Sequence, residues 1–220
     1  MSFEEMVRTI PLVSLAAAVV VSWRSFRHPF PQALKLFSIV LTFWLLVQMI
    51  AHGMAIGGIR NYWVYNIFNP LYFLVNAYIY QQQISSVIIR KIITWFYGLF
   101  IIIVLLNTIL LQDIISSYQT LTVVIGRSFI IFLAAAYFGQ LYNNPGKEKI
   151  TKDPFFWFSF GFILHFAATV PFLAMFNYLY YKYPGLSENY YFYFINSFAT
   201  LQYITVIVGF LCKKNFQKLF

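Results

Sequence analysis

The sequence predicts an all-α membrane protein, a bundle of seven transmembrane helices with its N-terminus outside and its C-terminus in the cytoplasm. Composition, the spacing of the apolar runs and the distribution of the basic residues lead to this fold class. Of 220 residues, 61% are hydrophobic and only 10% charged, and the mean hydropathy is +0.72. A soluble domain is about 25% charged because its surface faces water. The composition therefore excludes a soluble globular protein.

Seven apolar runs are long enough to cross a bilayer, whose core of about 30 Å needs about 20 helical residues. Backbone groups in lipid must be satisfied within their own segment, so each run predicts a helix. The first run carries Glu4 and Glu5 where a cleavable signal peptide carries bases, so it too is predicted to span. The predicted single domain has helices at 4–22, 32–51, 62–81, 91–111, 118–142, 154–180 and 191–212, followed by a basic tail at 213–220.

The basic residues alternate between the two sides of the predicted bundle. Eleven fall on one side and three on the other (Arg8, Arg60 and Lys182), while Arg127 lies inside the fifth helix. Lys and Arg favour cytoplasmic connections, which gives the predicted orientation. The cytoplasmic set is Arg24, Arg27, Lys35, Arg90, Lys91, Lys147, Lys149, Lys152, Lys213, Lys214 and Lys218. These residues form no single patch, so we expect no nucleic-acid partner.

Helices one to three and five to seven share short sequence patterns in the same order. Residues 15–18 (LAAA) match 133–136 (LAAA), and residues 61–65 (NYWVY) match 189–193 (NYYFY). These pairs predict a 3+1+3 parallel repeat, as in sugar facilitators of the SWEET type. The alternative is coincidence, because Phe, Leu, Ala and Tyr dominate the chain. Pro31-Gln32 resembles the PQ signature of that superfamily, whereas the matching Pro154-Phe155 departs from it.

The sequence lacks the residues that most intramembrane reactions and cofactors require. Helix seven has no Lys before Lys213, which excludes a retinal Schiff base. Beyond the start of helix one, no Asp or Glu falls inside a run, and neither HExxH nor G-x-S-x-G is present. We therefore expect no cofactor, no metal and no enzymatic activity. An intramembrane enzyme that uses Ser or Tyr with His165 is a remote alternative.

Four polar residues fall at similar depth in four helices and are the predicted ligand-binding residues: Arg127, His165, Gln202 and Tyr72. They lie 9 to 11 residues from their helix entries, or about 14–17 Å deep. A midplane Arg costs about 2.5–3.5 kcal/mol, so it should face the bundle interior and hold a partner. No carboxylate is available inside the runs. The partner is therefore expected among backbone carbonyls, Tyr and Gln side chains, water or an anionic ligand.

Two alternatives for these residues remain open from sequence. If helix five starts nearer Leu121, Arg127 can extend outward to Asp113 or to lipid headgroups. His165 can be a packed interior residue rather than a ligand contact. Helices five and six are expected to be antiparallel neighbours, which brings Arg127 near His165. Burial and a nearby guanidinium both disfavour an imidazolium, so we expect a neutral His165.

Four segments resemble a known family. They are Tyr65–Leu71 (Y-N-x-[FY]-x-P-x), Gly126–Ser128, Asp153–Gly161 ([DN]-P-x-F-W-x-S-x-G) and Leu211–Lys214. Together they resemble small, uncharacterised seven-helix bacterial integral membrane proteins that are often encoded beside sensor histidine kinases. The resemblance spans helices three to seven. It implies a bacterial cytoplasmic (inner) membrane protein with a sensory role and a histidine kinase partner.

The sequence thus leaves two main hypotheses for function. The first is a sensor or receptor-like subunit that binds a small anionic or amphiphilic ligand within the bundle and signals through a separate cytoplasmic or membrane partner. The second is a facilitator or transporter of a small anionic or amphiphilic solute. In both, membrane lipid surrounds the protein. The oligomeric state is not predicted.

Overall fold

The computed structural model describes residues 3–27, 30–143 and 150–212, which form helices and connections without any strand. This described part of the chain is all-α, as the composition predicts. The predicted tail at 213–220 and the predicted cytoplasmic residues Lys147 and Lys149 lie outside the described residues. The seven long helices are α1 (Phe3–Ser22), α2 (Gln32–Ile56), α3 (Tyr62–Gln83), α4 (Val87–Leu106), α5 (Thr120–Asn143), α6 (Pro154–Lys182) and α7 (Pro184–Leu211).

Six stretches of the described residues are long and apolar enough to cross a membrane, which indicates an integral membrane protein in contact with lipid. They are Thr9–Arg27, Gln32–Ile56, Val87–Leu111, Thr120–Asn143, Pro154–Phe176 and Tyr193–Leu211. The helix without such a stretch is α3. It has 22 residues but contains three asparagines and ends in three glutamines, which lower its hydropathy.

The polar residues of α3 are directed into the protein. Asn66, Asn69 and Asn76 expose 5% of their surface or less. The Asn66 amide nitrogen donates to the carbonyls of Ile114 and Ser117 at 2.9 and 2.8 Å, and its oxygen accepts from the Gln119 N–H at 2.9 Å. This one amide ties α3 to the connection between α4 and α5. The asparagines of α3 therefore act as hydrogen-bonding contacts within the bundle.

Six of the helices form a closed ring. α1 packs against α2 and α7, α3 against α2 and α5, and α6 against α5 and α7. The ring interior is filled largely by aromatic side chains such as Phe37, which stacks on Phe158 with ring centroids 4.5 Å apart. α4 lies outside the ring against α3 and α5, and its Trp95 is 80% exposed. The exposed apolar face of α4 is suited to contact with membrane lipid.

Several helix ends differ from the predicted ones because polar residues end an apolar run without ending a helix. α2 continues five residues past the predicted end and stops at Gly57-Gly58, where Gly58 has φ +69°. α4 begins at Val87, four residues before its predicted start, and then continues as a π-helix at Asn107–Leu111. α7 begins seven residues early, with Pro184 in its first turn, where the missing N–H costs no hydrogen bond. Only Tyr183 separates α6 from α7.

Gly126 allows α5 to approach α3 closely. A Cβ at this position would lie 2.2 Å from a Phe73 ring carbon. Phe73 is 1% exposed and is flanked by Phe100 and Phe166, with ring centroids 6.3 and 6.4 Å away, so its ring has little room to move. Close packing of this kind is sensitive to an added methyl group.

We expect Gly126→Ala to lower the free energy of unfolding by about 1–3 kcal/mol, the usual cost of overpacking. Gly139→Ala, on the same helix with no atom within 4 Å of the new Cβ, is the matched control and should be neutral or stabilising. Denaturant titration of the purified protein in detergent measures both. Equal stability of the two variants would contradict the close contact of α3 and α5.

Candidate functional site

The polar centre of the bundle joins α5, α6 and α7. Arg127 on α5 donates from Nη1 to Thr169 Oγ1 on α6 at 2.5 Å. One turn before Thr169 on α6, the His165 Nδ1 atom hydrogen-bonds to Oε1 of Gln202 on α7. Thr169, His165 and Gln202 are each at most 6% exposed. A continuous line of polar side chains therefore crosses three neighbouring helices.

Thr169 is oriented by its own helix. Its hydroxyl donates to the His165 backbone carbonyl at 2.7 Å, the usual bond of a helical Thr to the residue four positions earlier. A hydroxyl has one proton, so its remaining capacity is to accept. The lone pairs of Thr169 are thereby presented to Arg127. The spacing of His165 and Thr169 places both on one face of α6.

The Arg127 guanidinium also lies over an aromatic ring. Its central carbon is 5.1 Å from the Phe166 ring centroid, within the range of cation–π attraction. Phe166 and Thr169 are both neutral. Within the described part of the chain, the positive charge is therefore stabilised by the Thr169 dipole and the Phe166 ring.

Arg127 does not reach toward Asp113. The Asp113 carboxylate accepts instead from the backbone N–H groups of Ser116 and Ile115 at 2.6 and 2.9 Å, and these bonds hold the pKa of this exposed carboxyl below its ordinary value. α5 begins at Thr120, so Arg127 is only about 10 Å along the helix, nearer the entry than predicted. Its side chain nevertheless turns to α6 rather than outward.

Two atoms of this centre lack a partner in the described protein. Arg127 Nε and His165 Nε2 are both buried without a hydrogen bond. A buried unsatisfied polar atom costs about 1–3 kcal/mol, more when charged. Such atoms are expected to meet water or a ligand.

A second polar network lies between the end of α4 and the start of α5. The Asn107 amide nitrogen donates to Gln112 Oε1 and Thr122 Oγ1 at 3.1 and 3.0 Å. The Gln119 amide nitrogen donates to Thr108 Oγ1 and the Gln112 carbonyl at 2.8 and 3.1 Å. Both amide oxygens are left buried and unpartnered. This network stabilises the π-helical end of α4, where Asn107 begins the segment.

The structure brings three predicted site residues into one hydrogen-bonded group with its neighbours: Arg127, His165 and Gln202. Tyr72 makes no hydrogen bond to this group among the described contacts, and its ring packs at a tilt against Trp44, with ring centroids 4.9 Å apart. That these residues bind a ligand stays a prediction. Sequence analysis missed Thr169 and Phe166. Thr169 lies four residues after His165 and Phe166 one residue after it, and this spacing could have indicated that both lie near His165 on α6.

No protein-family model, curated protein or solved structure matches the chain. The described residues also contain no group of three or more His, Cys, Asp or Glu side chains that could hold a metal ion. The resemblance to bacterial seven-helix proteins therefore stays a prediction, and the site must be interpreted from its own geometry.

We expect Thr169→Val to destabilise the protein by about 1–3 kcal/mol, because Arg127 loses its hydrogen-bond acceptor inside the bundle. The control is Thr200→Val, which removes only a donation to the Asn196 carbonyl of the same helix. Thr169→Ser should retain near wild-type stability. Unfolding in detergent measures the three variants. If the two valine variants are equally stable, the Arg127 contact contributes nothing.

Proposed function

We propose that the protein is a seven-helix membrane sensor or receptor-like subunit that binds a small anionic or amphiphilic ligand beside Arg127. A separate cytoplasmic or membrane partner would receive the signal. The observation that carries this proposal is the unpartnered Nε of Arg127, whose described hydrogen bond goes to the neutral Thr169 rather than to an acidic side chain. Arg127 is partly buried, its Nη1 is bonded to the neutral Thr169, and an anion is the occupant that its buried, unpartnered Nε favours most.

The sequence offers Arg127 few carboxylates. The chain has six acidic residues, and none lies between Glu5 and Asp113 or between Asp153 and Glu188. Structural ion pairs explain most arginines inside proteins, whereas the described hydrogen bond of Arg127 goes to the neutral Thr169. A ligand contact is the stronger interpretation.

We propose that α3 is the seventh span. Its 22 residues are long enough for the bilayer core, and it packs between α2 and α5 within the ring. Its three asparagines are buried, and it contains no Asp, Glu, Lys or Arg. Seven spans with the observed distribution of basic residues give an outside N-terminus and a cytoplasmic C-terminus.

The proposed partner would meet the cytoplasmic side of the bundle. Basic connections on that side, including Arg24, Arg27 and Lys152, provide charge for an acidic partner surface or anionic lipid. The resemblance to proteins encoded beside sensor histidine kinases makes a histidine kinase of the bacterial inner membrane the partner we propose. No enzymatic activity is proposed.

A facilitator for the same class of solute is the second candidate. Its support is the order of contacts in the ring, in which α1–α2–α3 and α5–α6–α7 form two sets and α4 stands outside. The predicted 3+1+3 repeat would have this order. Anion flux into proteoliposomes containing the purified protein separates the candidates. A sensor should bind without transporting, whereas a facilitator should transport with Arg127-dependent saturation.

We expect at least one of four sodium salts (phosphate, sulfate, glycolate and acetate) to raise the unfolding temperature of the protein in lipid nanodiscs. Binding at 100 times Kd stabilises the folded state by about 2.7 kcal/mol. Arg127→Leu should abolish this stabilisation, and Arg127→Lys should restore it only in part, because Lys lacks the planar donor fork. Arg60→Leu, in an exposed connection, is the matched control. The site is disproved if all four anions stabilise Arg127→Leu as they stabilise the wild type.

The proposed orientation predicts which side of the membrane a thiol reagent reaches. In a Cys212→Ser background, Arg60→Cys should react with an impermeant maleimide added to intact cells, and Lys152→Cys should react only after the membrane is opened. Cys212 is the only cysteine of the chain, so the Cys212→Ser protein has no thiol that the maleimide could label. Labelling of the Lys152→Cys protein in intact cells would reverse the topology.

A further inference from the structure

The two unpartnered atoms of the polar centre are of opposite kinds. Arg127 Nε carries a proton at every accessible pH, so it can only donate a hydrogen bond. His165 has two ring nitrogens whose roles depend on its tautomer. The partner of Nδ1 decides what Nε2 can do.

Gln202 fixes the tautomer of His165. The atom that faces Nδ1 is the amide oxygen Oε1, which has no proton and can only accept. Nδ1 must therefore carry the imidazole proton. In the neutral ring this leaves a bare lone pair on Nε2, which is an acceptor.

Both groups lie against the same ring. The Arg127 central carbon is 5.1 Å and the His165 ring centroid 5.2 Å from the Phe166 ring centroid, so the guanidinium and the imidazole are at most about 10 Å apart. The hydroxyl of Thr169, which lies between their helices, is already bonded to both sides. A small molecule that bridges the two groups would satisfy both buried atoms.

We propose that the ligand is a small anion that carries its own O–H group. Its charged oxygen accepts from Arg127 Nε, and its hydroxyl donates to His165 Nε2. This inference rests on the proposed function and specifies its ligand class. An anion without a proton would turn an oxygen lone pair toward the lone pair of Nε2, and the site would reject it. Sites built to bond a ligand hydroxyl discriminate strongly against analogues that lack one.

Two sources supply this chemistry: protonated inorganic phosphate and organic hydroxy acids. Each has a matched analogue without the donor. Sulfate has the shape of phosphate but no O–H near neutral pH, and acetate is glycolate without its hydroxyl. The two pairs therefore test one feature and separate the two sources.

The test is a titration of full-length protein in nanodiscs at pH 7 with the four sodium salts. Binding is measured by calorimetry and by the rise in unfolding temperature. We expect phosphate to bind at least about tenfold more tightly than sulfate, or glycolate at least about tenfold more tightly than acetate. The pair that discriminates identifies the source.

Gln202→Glu changes the group that determines which ring nitrogen of His165 carries the proton. A carboxylate beside Nδ1 stabilises the imidazolium, so Nε2 gains a proton and becomes a donor. The preference should then disappear or reverse, with sulfate or acetate bound at least as tightly as its partner. A variant that does not fold leaves the wild-type comparison intact, and that comparison alone decides.

The outcomes are distinct. Arg127-dependent binding with equal affinity in both pairs, or with sulfate and acetate favoured by the wild type, would overturn this inference and leave the proposed function standing. Absence of binding by all four anions would overturn both, since the two buried atoms would then hold only water.

Discussion

The polar centre of this protein depends on one positive charge that is held by neutral groups among the described residues. Arg127 is held by the Thr169 hydroxyl and by the face of Phe166, both on α6. A guanidinium in a membrane bundle is costly, and dipoles compensate it less than a carboxylate does. The same arrangement leaves its Nε atom available. Arg127 is thus held in place while one of its hydrogen-bond donors, Nε, has no partner among the described residues.

The neighbouring elements are arranged around that charge. Gly126, the residue before Arg127, brings α5 against Phe73 of α3. Gly161 and Gly209 bring α6 and α7 together: a Cβ at the first would meet Thr205 Oγ1, and at the second the Phe158 ring. Close approach at these positions lets Arg127, His165 and Gln202 connect across three helices. Small residues at helix contacts permit such polar contacts in membranes.

Much of this arrangement follows from the sequence. The apolar runs predict seven helices and place Arg127, His165 and Gln202 inside them, but α5 begins at Thr120, so Arg127 lies nearer its helix entry than the predicted common depth. Thr169 was missed because a Thr bonded to its own helix is common, and only tertiary contact shows that its lone pairs face Arg127. The start of α7 was missed because hydropathy stops at polar residues while backbone hydrogen bonding continues. The asparagines of α3 are buried inside the bundle. Composition alone does not distinguish such a buried polar helix from one that is exposed to water.

The most direct measurement is an experimental structure of the protein in lipid at a resolution that shows bound water and anions. We expect non-protein density within hydrogen-bonding distance of Arg127 Nε, with the guanidinium on Thr169 and the density extending toward His165 Nε2. A guanidinium turned outward to Asp113 or to lipid headgroups, with apolar side chains filling the space beside His165, would contradict the proposed site.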